Sequence, residues 1–542
     1  MKNKSENSRF SSLVALYDSA RLFMRESISD MQKNMRQYLG TNEIDGSDTV
    51  ADMVRNITYE LIEAQVSANI PYPRIEPIAF SERREENART LEELCSDCIS
   101  RLPFQELNDI DERYTYVFGG SVWYIEWEDN VGVRIHSISP EDFFPEPGIY
   151  SVKDMRYCFI RSITTRGELY AKYGIPPSET AKASLDFEFS ADPMADTVEV
   201  VTAFYIDDDG DVGKMLFSGD ILLSDRPKYF YKRNEGGDVC IFDTLTVNGK
   251  PAKVSRSVPK RFPIVIRKNT GASPALLGDS DCEKIRPEQQ AINKVESRIL
   301  KKLLRAGITP VIPEGSTVTM SNSVFGQVIK MRPGESLDSY GKIDTTPDIR
   351  QDIEEADRLY DMARRILGIS DSLTGSESYT EKSGVAVQLN ITRSISRLES
   401  KRRLKYSAYS ELYHIIACYY LAFYDGEMEL SFRDAEGCVH NSVFRKADFV
   451  EGTPEDGYHL CLNYVFGVDL NLGGEYTKES LWEKNLQNLK AGTLGDPEDT
   501  RTLLRYWQFQ ESASYPYARE NVKYFKNLIE KERQERENGR NY

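Results

Sequence analysis

Between residues 278 and 423, apolar positions recur at helical spacing over three separate stretches. The breaks between those stretches organise the chain. In the first, 281–306 (DCEKIRPEQQAINKVESRILKKLLRA), Ile285, Ile292, Val295, Ile299 and Leu303 fall three, four or seven residues apart, which predicts a helix. Gly307 stops it, and Pro310 and Pro313 prevent its continuation. A second helix is expected over 347–367, with Ile349, Ile353, Ala356, Leu359, Tyr360, Ala363 and Ile366 on one side. The polar run GISDSLTGSESYTEKSG follows, and then a third helix from 385 to 424. At 1.5 Å per residue that helix is roughly 60 Å long, well beyond an ordinary globular helix. This layout suits a mechanical part better than a catalytic cleft.

On either side of that middle the period changes repeatedly. Residues 9–39 read as an amphipathic helix closed by Gly40, and 48–68 as a second. The segment IPYPRIEPI is held extended by Pro71, Pro73 and Pro77. Helices are expected at 82–107 and 108–118. From Gly119 the period falls to two, and VWYIEWEDNVGVRIHSI reads as a hairpin turning at Asp129-Asn130. Further strands are expected at 155–163, 196–206, 214–217, 228–232, 239–245 and 262–267, with a helix at 165–173. After the long helix, 427–433, 442–449 and 459–466 alternate like strands, and 477–535 is helical again. No internal repeat is visible. The fold class is α+β.

Composition sets the outer bounds. A chain of 542 residues exceeds what one core serves, so two to four regions are expected. Hydrophobic residues at 40% and charged residues at 29% describe a folded protein. No apolar run approaches the ~18–20 residues needed to span a bilayer, so no membrane partner is expected. The first residues carry no secretory signal pattern. Eight scattered cysteines suit a reducing compartment, and a cytoplasm is the expected site of synthesis. The net charge of −17 repels nucleic acid as a whole, since DNA affinity rests on Lys and Arg neutralising phosphates. A protein that lets DNA slide past fits this balance, and so does simple solubility.

The search for catalytic chemistry returns little. There is no GxxxxGK[ST] phosphate loop: Gly249-Lys250 is followed by Pro251 and Gly341-Lys342 by Ile343. The acidic run IDDDGDVG fails as a calcium loop, because with Gly210 sixth the first and twelfth positions are Tyr205 and Leu216. A hairpin turn with Gly210 at positive φ explains it. Cys95 and Cys98 form CxxC inside a helical pattern with no second pair beside them. Cys438, His440, His459 and Cys461 form CxH and HxC pairs on strands, each pair on one face; facing strands would make a zinc set, and ordinary strand residues are the alternative. No cofactor is expected.

Several segments, in order, resemble the portal protein of tailed bacteriophages, the head-to-tail connector. MVRNITYELIEAQVSANIPYPRIEPI resembles its N-terminal wing, and VFGGSVWYIEW with IHSISPEDFFPEPG its wing strands. FPIVIRKNTGASPALLGDSDCEKIRPEQQAINKVESRILKK resembles the approach to its first stem helix. LGISDSLTGSESYTEKSGVAVQ resembles the loop and helix start after its second. The resemblance implies an N-terminal wing at 1–280, stem helices at 281–306 and 347–367, and a small strand-bearing clip at 307–346. It further implies a tunnel loop at 368–383, a long helix and second wing portion at 384–476, and a helical crown at 477–542. Such subunits form a ring of about twelve around a DNA tunnel. The implied partners are double-stranded DNA, a terminase motor and a neck or adaptor protein at the clip, and major capsid and scaffolding proteins. The implied location is the virion, at the portal vertex. No catalytic residue is implied; the competing function is a metal-dependent hydrolase or nuclease of phage DNA processing.

Within this frame two basic stripes stand out. Lys294, Arg298 and Lys302, with Arg305 beside them, stack on the first stem helix; Arg393, Arg397, Lys401 and Lys405 stack on the long helix. They face DNA phosphates or neighbouring subunits, or else a solvated face and the acids Glu354, Glu355, Asp357 and Asp361. In the expected tunnel loop, Ser370, Ser372, Gly375, Ser376, Ser378 and Lys382 give a polar, glycine-bearing segment suited to following a duplex whose symmetry differs from the ring's.

Overall fold

A computed structural model describes residues 2–41, 53–79, 81–129, 131–176, 196–234, 238–247, 249–256, 258–271, 275–304, 308–311, 320–323, 326–329, 341–344, 348–369, 384–433, 439–453, 457–468, 478–497, 499–512, 515 and 518–538. Over those residues the protein is mixed α+β, with twelve α-helices and several small sheets.

The chain begins with the long helix α1 (Lys2–Leu39), the short α2 (Ile57–Glu63) and the strand β1 (Pro73–Pro77). Next come α3 (Glu82–Arg101), α4 (Phe104–Phe118), β2 (Gly120–Glu128), β3 (Gly132–Ile138), β4 (Phe143–Pro145), β5 (Tyr157–Thr165) and α5 (Arg166–Tyr173). Strands β6 (Thr197–Ile206), β7 (Val212–Ser218), β8 (Ile221–Arg226), β9 (Phe242–Val247), β10 (Lys250–Ser255) and β11 (Ile264–Lys268) complete the first portion. The middle holds α6 (Asp281–Lys284), α7 (Arg286–Leu304), β12 (Ile308–Val311), β13 (Met320–Ser323), β14 (Gly326–Ile329), β15 (Gly341–Asp344), α8 (Arg350–Leu367) and the 40-residue α9 (Gly384–Phe423). Five strands follow, β16 (Glu427–Arg433), β17 (Val439–Arg445), β18 (Val450–Thr453), β19 (Gly457–Leu460) and β20 (Tyr464–Val468). Helices α10 (Lys478–Lys490), α11 (Thr500–Ser512) and α12 (Ala518–Asn538) end the chain, with the rings of Trp482 and Trp507 packed on Tyr515.

Sheet pairing joins the two ends of the chain. β1 runs antiparallel to β20, and β10 lies parallel to β19 within the sheet β18-β19-β10-β9. Residues from both sides of the middle therefore build one body, and the segment from α6 to α8 is an insertion into it. The second half of α9 is the axis of that body. Between Ala408 and Leu421 nearly every apolar side chain is buried, so the helix has no solvent face there. It packs on α3, β2, β11 and β20. A second core lies under α1, where Leu13, Tyr17, Ala20, Met24 and Met31 face the five-stranded sheet β4-β5-β6-β7-β8. There Tyr17 meets Phe144, Phe159 and Phe217 edge to face.

Several boundaries depart from the sequence pattern for identifiable reasons. The helix expected over 48–68 is only seven residues long; Asn56 caps it by accepting from the Tyr59 N–H, and 42–52 lie outside the described residues. The helix expected over 82–107 stops at Arg101, because Leu102 takes an extended conformation ahead of Pro103. The helix expected over 281–306 breaks at Ile285, since Pro287 has no N–H to continue the ladder. Residues 228–232 form no strand: Lys228 sits at φ 57 in a turn, and β8 is the sheet edge instead. Gly210 does take a positive φ of 77 in a turn where Asp207 N–H donates to the Asp211 carbonyl and Gly210 N–H to the Asp207 carbonyl. Lys228 binds Asp209 and Asp211 there, which accounts for the acidic run. The interval between α7 and α8 does carry strands, in the pairs β12·β15 and β13·β14. No helix among the described residues is long and apolar enough to cross a membrane.

Tyr409 tests the central packing. Its ring lies against Phe104 and Trp123, and its hydroxyl donates to Asn108 at 2.8 Å. Tyr409→Ala removes a fully buried ring and is expected to cost about 3–5 kcal/mol, whereas Tyr409→Phe, losing one hydrogen bond, costs about 1 kcal/mol. Urea denaturation of the two variants measures the split; equal losses would place the stabilisation in the hydroxyl rather than the ring.

Candidate functional site

Helices α7 and α8 pack side by side and are the element most distinct from the α/β body. Ile285, Ile292, Ala363, Leu367 and Ile369 form their core, closed at the base by Ile57 and Leu61 of α2. Gln289 fixes α2 in register: its Oε1 accepts from the backbone N–H and hydroxyl of Thr58, and its Nε2 donates to the Arg55 carbonyl. On the outer side, Arg298 and Lys302 both bind Asp352, at 2.6 and 2.5 Å. Two members of the first basic stripe are therefore engaged across the helix pair, to an acid other than the four expected. Lys294 is exposed, and Arg305 lies outside the described residues.

Part of the second stripe is likewise engaged within the chain. Lys401 and Lys405 are both engaged in ion pairs inside their own chain, Lys405 buried and Lys401 nearly so. Lys405 Nζ lies 2.7 Å from Glu112 Oε1 and donates to the Asn69 carbonyl at 2.7 Å. Lys401 Nζ lies 2.5 Å from Asp281 Oδ2, donates to Gln65 Oε1 at 2.9 Å, and sits 4.9 Å from the centre of the Tyr116 ring. Arg393 and Arg397 belong to the same helix, but their side chains are outside the described set. The proposed tunnel-loop residues Ser370, Ser372, Gly375, Ser376, Ser378 and Lys382 also lie outside it.

These lysines complete a buried ionic network that joins three parts of the fold. Arg267 of β11 binds Asp111 Oδ2 and Glu112 Oε1 of α4, each at 2.7 Å, with all three side chains almost wholly out of water. Asn269, just past β11, donates to Asp281 Oδ1 at 2.8 Å, and Asp281 opens α6. Three cations (Arg267, Lys401, Lys405) thus meet three carboxylates (Asp111, Glu112, Asp281) at the junction of α4, β11, α6 and α9. Burial pushes both α4 carboxyls upward. For Asp111 it wins, and the acid is raised; Glu112, bonded to both Arg267 and Lys405, is instead held at about 2. The backbone closes tightly here too. Gly119 (φ 88) and Gly278 lie so close that a Cβ on Gly119 would overlap the Gly278 carbonyl, and Gly278 N–H donates to Gly119 O at 2.8 Å.

Sequence periodicity alone passes over Asp111, Glu112, Arg267 and Asp281. The available signal is that Asn108, Asp111, Glu112 and Thr115 sit at i, i+3, i+4 and i+7 of a helix whose core face they occupy; all four are buried.

The cysteine and histidine pairs separate. The strand of His440 pairs with β16, and the strand of His459 pairs with β18 and β10, so the two are not partners in one ladder. Cys438 and the His440 side chain lie outside the described residues. His459 and Cys461 instead meet Glu451, with the three ligand atoms all within 4.8 Å of one another. Cys95 and Cys98 are buried in α3, where desolvation raises both thiols, Cys98 to about 12; neither is poised for redox or metal chemistry.

Glu112 carries a pH prediction. Its carboxyl is lowered from 4.5 to about 2, so its contribution is fully present above the unfolded value and is lost as pH falls through about 2. Glu112→Gln takes the carboxylate from Lys405 and leaves Arg267 with Asp111 alone, and is expected to cost about 3–5 kcal/mol at pH 7. In urea melts the gap between parent and variant should shrink as pH drops from 4.5 towards 2. A gap that is already negligible at pH 7 contradicts the assignment.

No family model matches this sequence, and no curated protein matches it. Among solved structures, a chain of the virion of a native gene transfer agent particle aligns over 88% of this chain and 93% of that chain, with 10% identity and a TM-score of 0.38. A likeness that low carries no argument about function.

Proposed function

We infer that this chain is a non-enzymatic structural subunit of a phage-like virion and, more specifically, the portal subunit of a ring through which DNA is packaged and released. The observation that carries this reading is the insertion: a helix pair, with small paired strands at the far end, set into an α/β body whose own sheets close behind it. A body with a protruding helical hairpin suits a part that lines an axial passage and presents its tip to other proteins. In this reading α7 and α8 are the stem, the β12–β15 segment is the clip that meets the terminase motor and later the neck protein, and α9 spans the wing.

Exposed apolar residues on the helix pair support assembly. Leu303, Ile353, Met362 and Ile366 are each 43–48% exposed in the single chain. On α8 the buried face holds Ala356, Ala363 and Leu367. Ile353 falls on one flank of that face, and Met362 and Ile366 on the other. A subunit in a ring needs two different contact surfaces, one for each neighbour, and two apolar flanks answer that need. The apolar positions Ile299 and Leu303 of α7 are read as lying between subunits: within the chain Ile299 is half-buried and Leu303 exposed. The DNA-facing role is not extended to Lys401 and Lys405, which are consumed by the internal network.

Replacing Leu303 and Ile366 together by Asp tests the assembly. The wild type should sediment as a particle of many hundreds of kilodaltons. The double variant should remain folded, with an unchanged thermal midpoint, and sediment as a monomer, because charge is tolerated on an exposed flank but not in a packed seam. Rings from the double variant contradict this placement of the contacts. A second test addresses the passage itself. Deleting residues 376–380 should leave ring yield unchanged and reduce packaged DNA per particle; lost rings with normal packaging in those that form would make the segment a structural connector.

A further inference from the structure

We propose that Glu451, His459 and Cys461 form a zinc-binding site that clamps the β18–β19 hairpin to helix α3. The site is independent of ring formation and of the portal reading.

Strand register brings the three residues together. Glu451 of β18 lies directly opposite His459 of β19 in the antiparallel ladder, so their side chains leave the same face. Cys461 is two residues beyond His459 and returns to that face by the period of two; its N–H donates to the Phe449 carbonyl at 3.0 Å, which extends the ladder past the end of the strand. The imidazole nitrogen, thiol sulfur and carboxylate oxygen all lie within 4.8 Å of one another. Zinc bonds of about 2.0–2.3 Å set tetrahedral ligand atoms roughly 3.3–3.8 Å apart, so a side-chain adjustment of about 1 Å suffices to close the set.

The donor types select the ion. A sulfur, an imidazole nitrogen and a carboxylate oxygen suit zinc, whereas magnesium and calcium take oxygen ligands alone. Two of the three donors are half-buried and His459 is exposed, so the ion has a path in and an open fourth position for water. The carboxylate is held from behind: Arg84 of α3 donates from Nε to Glu451 Oε1 at 2.9 Å, and its Nη2 lies 2.8 Å from the same oxygen. That leaves Oε2 for the metal, with Arg84 as the outer partner that orients the ligand. α3 is tied to the same hairpin by Arg83 and Asn87, both donating to the Asp448 carbonyl at 2.9 Å. The ion therefore joins β18, β19 and, through Arg84, α3. The role assigned to it is structural, because among the described residues no further His, Cys, Asp or Glu joins the group.

Cobalt(II) serves as the probe, added to the purified full chain. One equivalent should give thiolate-to-cobalt absorption in the near ultraviolet with four-coordinate visible bands, and zinc should abolish both. Cys461→Ser should remove the thiolate band and His459→Ala should weaken binding at least tenfold, while Cys240→Ser and Cys438→Ser should change neither. A band that survives in Cys461→Ser, or vanishes in Cys438→Ser, overturns the site. Because His459 is exposed, its variant keeps the fold and provides a second measurement. Zinc should raise the thermal midpoint of the parent and not of His459→Ala; an equal rise in both, or in neither, also overturns it.

Discussion

Putting Asp111 and Glu112 in a dry interior is costly, and the rest of the subunit is arranged around meeting that cost. Removing two adjacent carboxylates from water is tolerable only if cations arrive with good geometry, and here they arrive from distant parts of the chain. Arg267 comes from the strand before the inserted helix pair and Lys405 from the long helix after it. Asp281, at the first turn of α6, repeats the device with Lys401. The charges can be neutralised only when α4, β11, α6 and α9 occupy one mutual arrangement. Apolar packing would hold these elements together with less directional demand; the ion pairs fix how the inserted helices leave the body and how the chain returns.

This explains how an acidic chain uses its cations. In a chain with a net charge of −17, four of the eight cations in the two stripes are committed to carboxylates of the same chain. Arg298 and Lys302 share Asp352 across the α7–α8 pair, and Lys401 and Lys405 are paired inside the fold. A passage lined by such a chain would attract DNA weakly, as a conduit that must not retain its cargo requires.

The elements with a long, regular period were legible in the sequence. Helix α9, the two stem helices, the β2–β3 hairpin and the turn at Gly210 all follow from spacing and punctuation. What escaped was set by single residues or by tertiary contact. Pro103 and Pro287 cut helices whose apolar pattern runs on through them. Strand β8 has no strict alternation and exists because β7 presents an edge to it. The basic stripe at Lys401 and Lys405 reads as a solvent face because periodicity records where charges lie on a helix, not which acids another element brings to them. The partners, Asp281 and Glu112, are 120 and 293 positions away in the chain. Similarly, His459 and Cys461 were visible as a pair, but their third neighbour, Glu451, appears only once the hairpin register is known.

Imaging the purified wild-type protein by negative-stain electron microscopy tests the central claim, that the inserted helix pair belongs to a ring subunit, most directly. The account predicts closed rings with an axial hole, in which the helix pair of each subunit lies against those of its neighbours. A uniform field of monomers or dimers, from protein shown by circular dichroism to be folded, would contradict it.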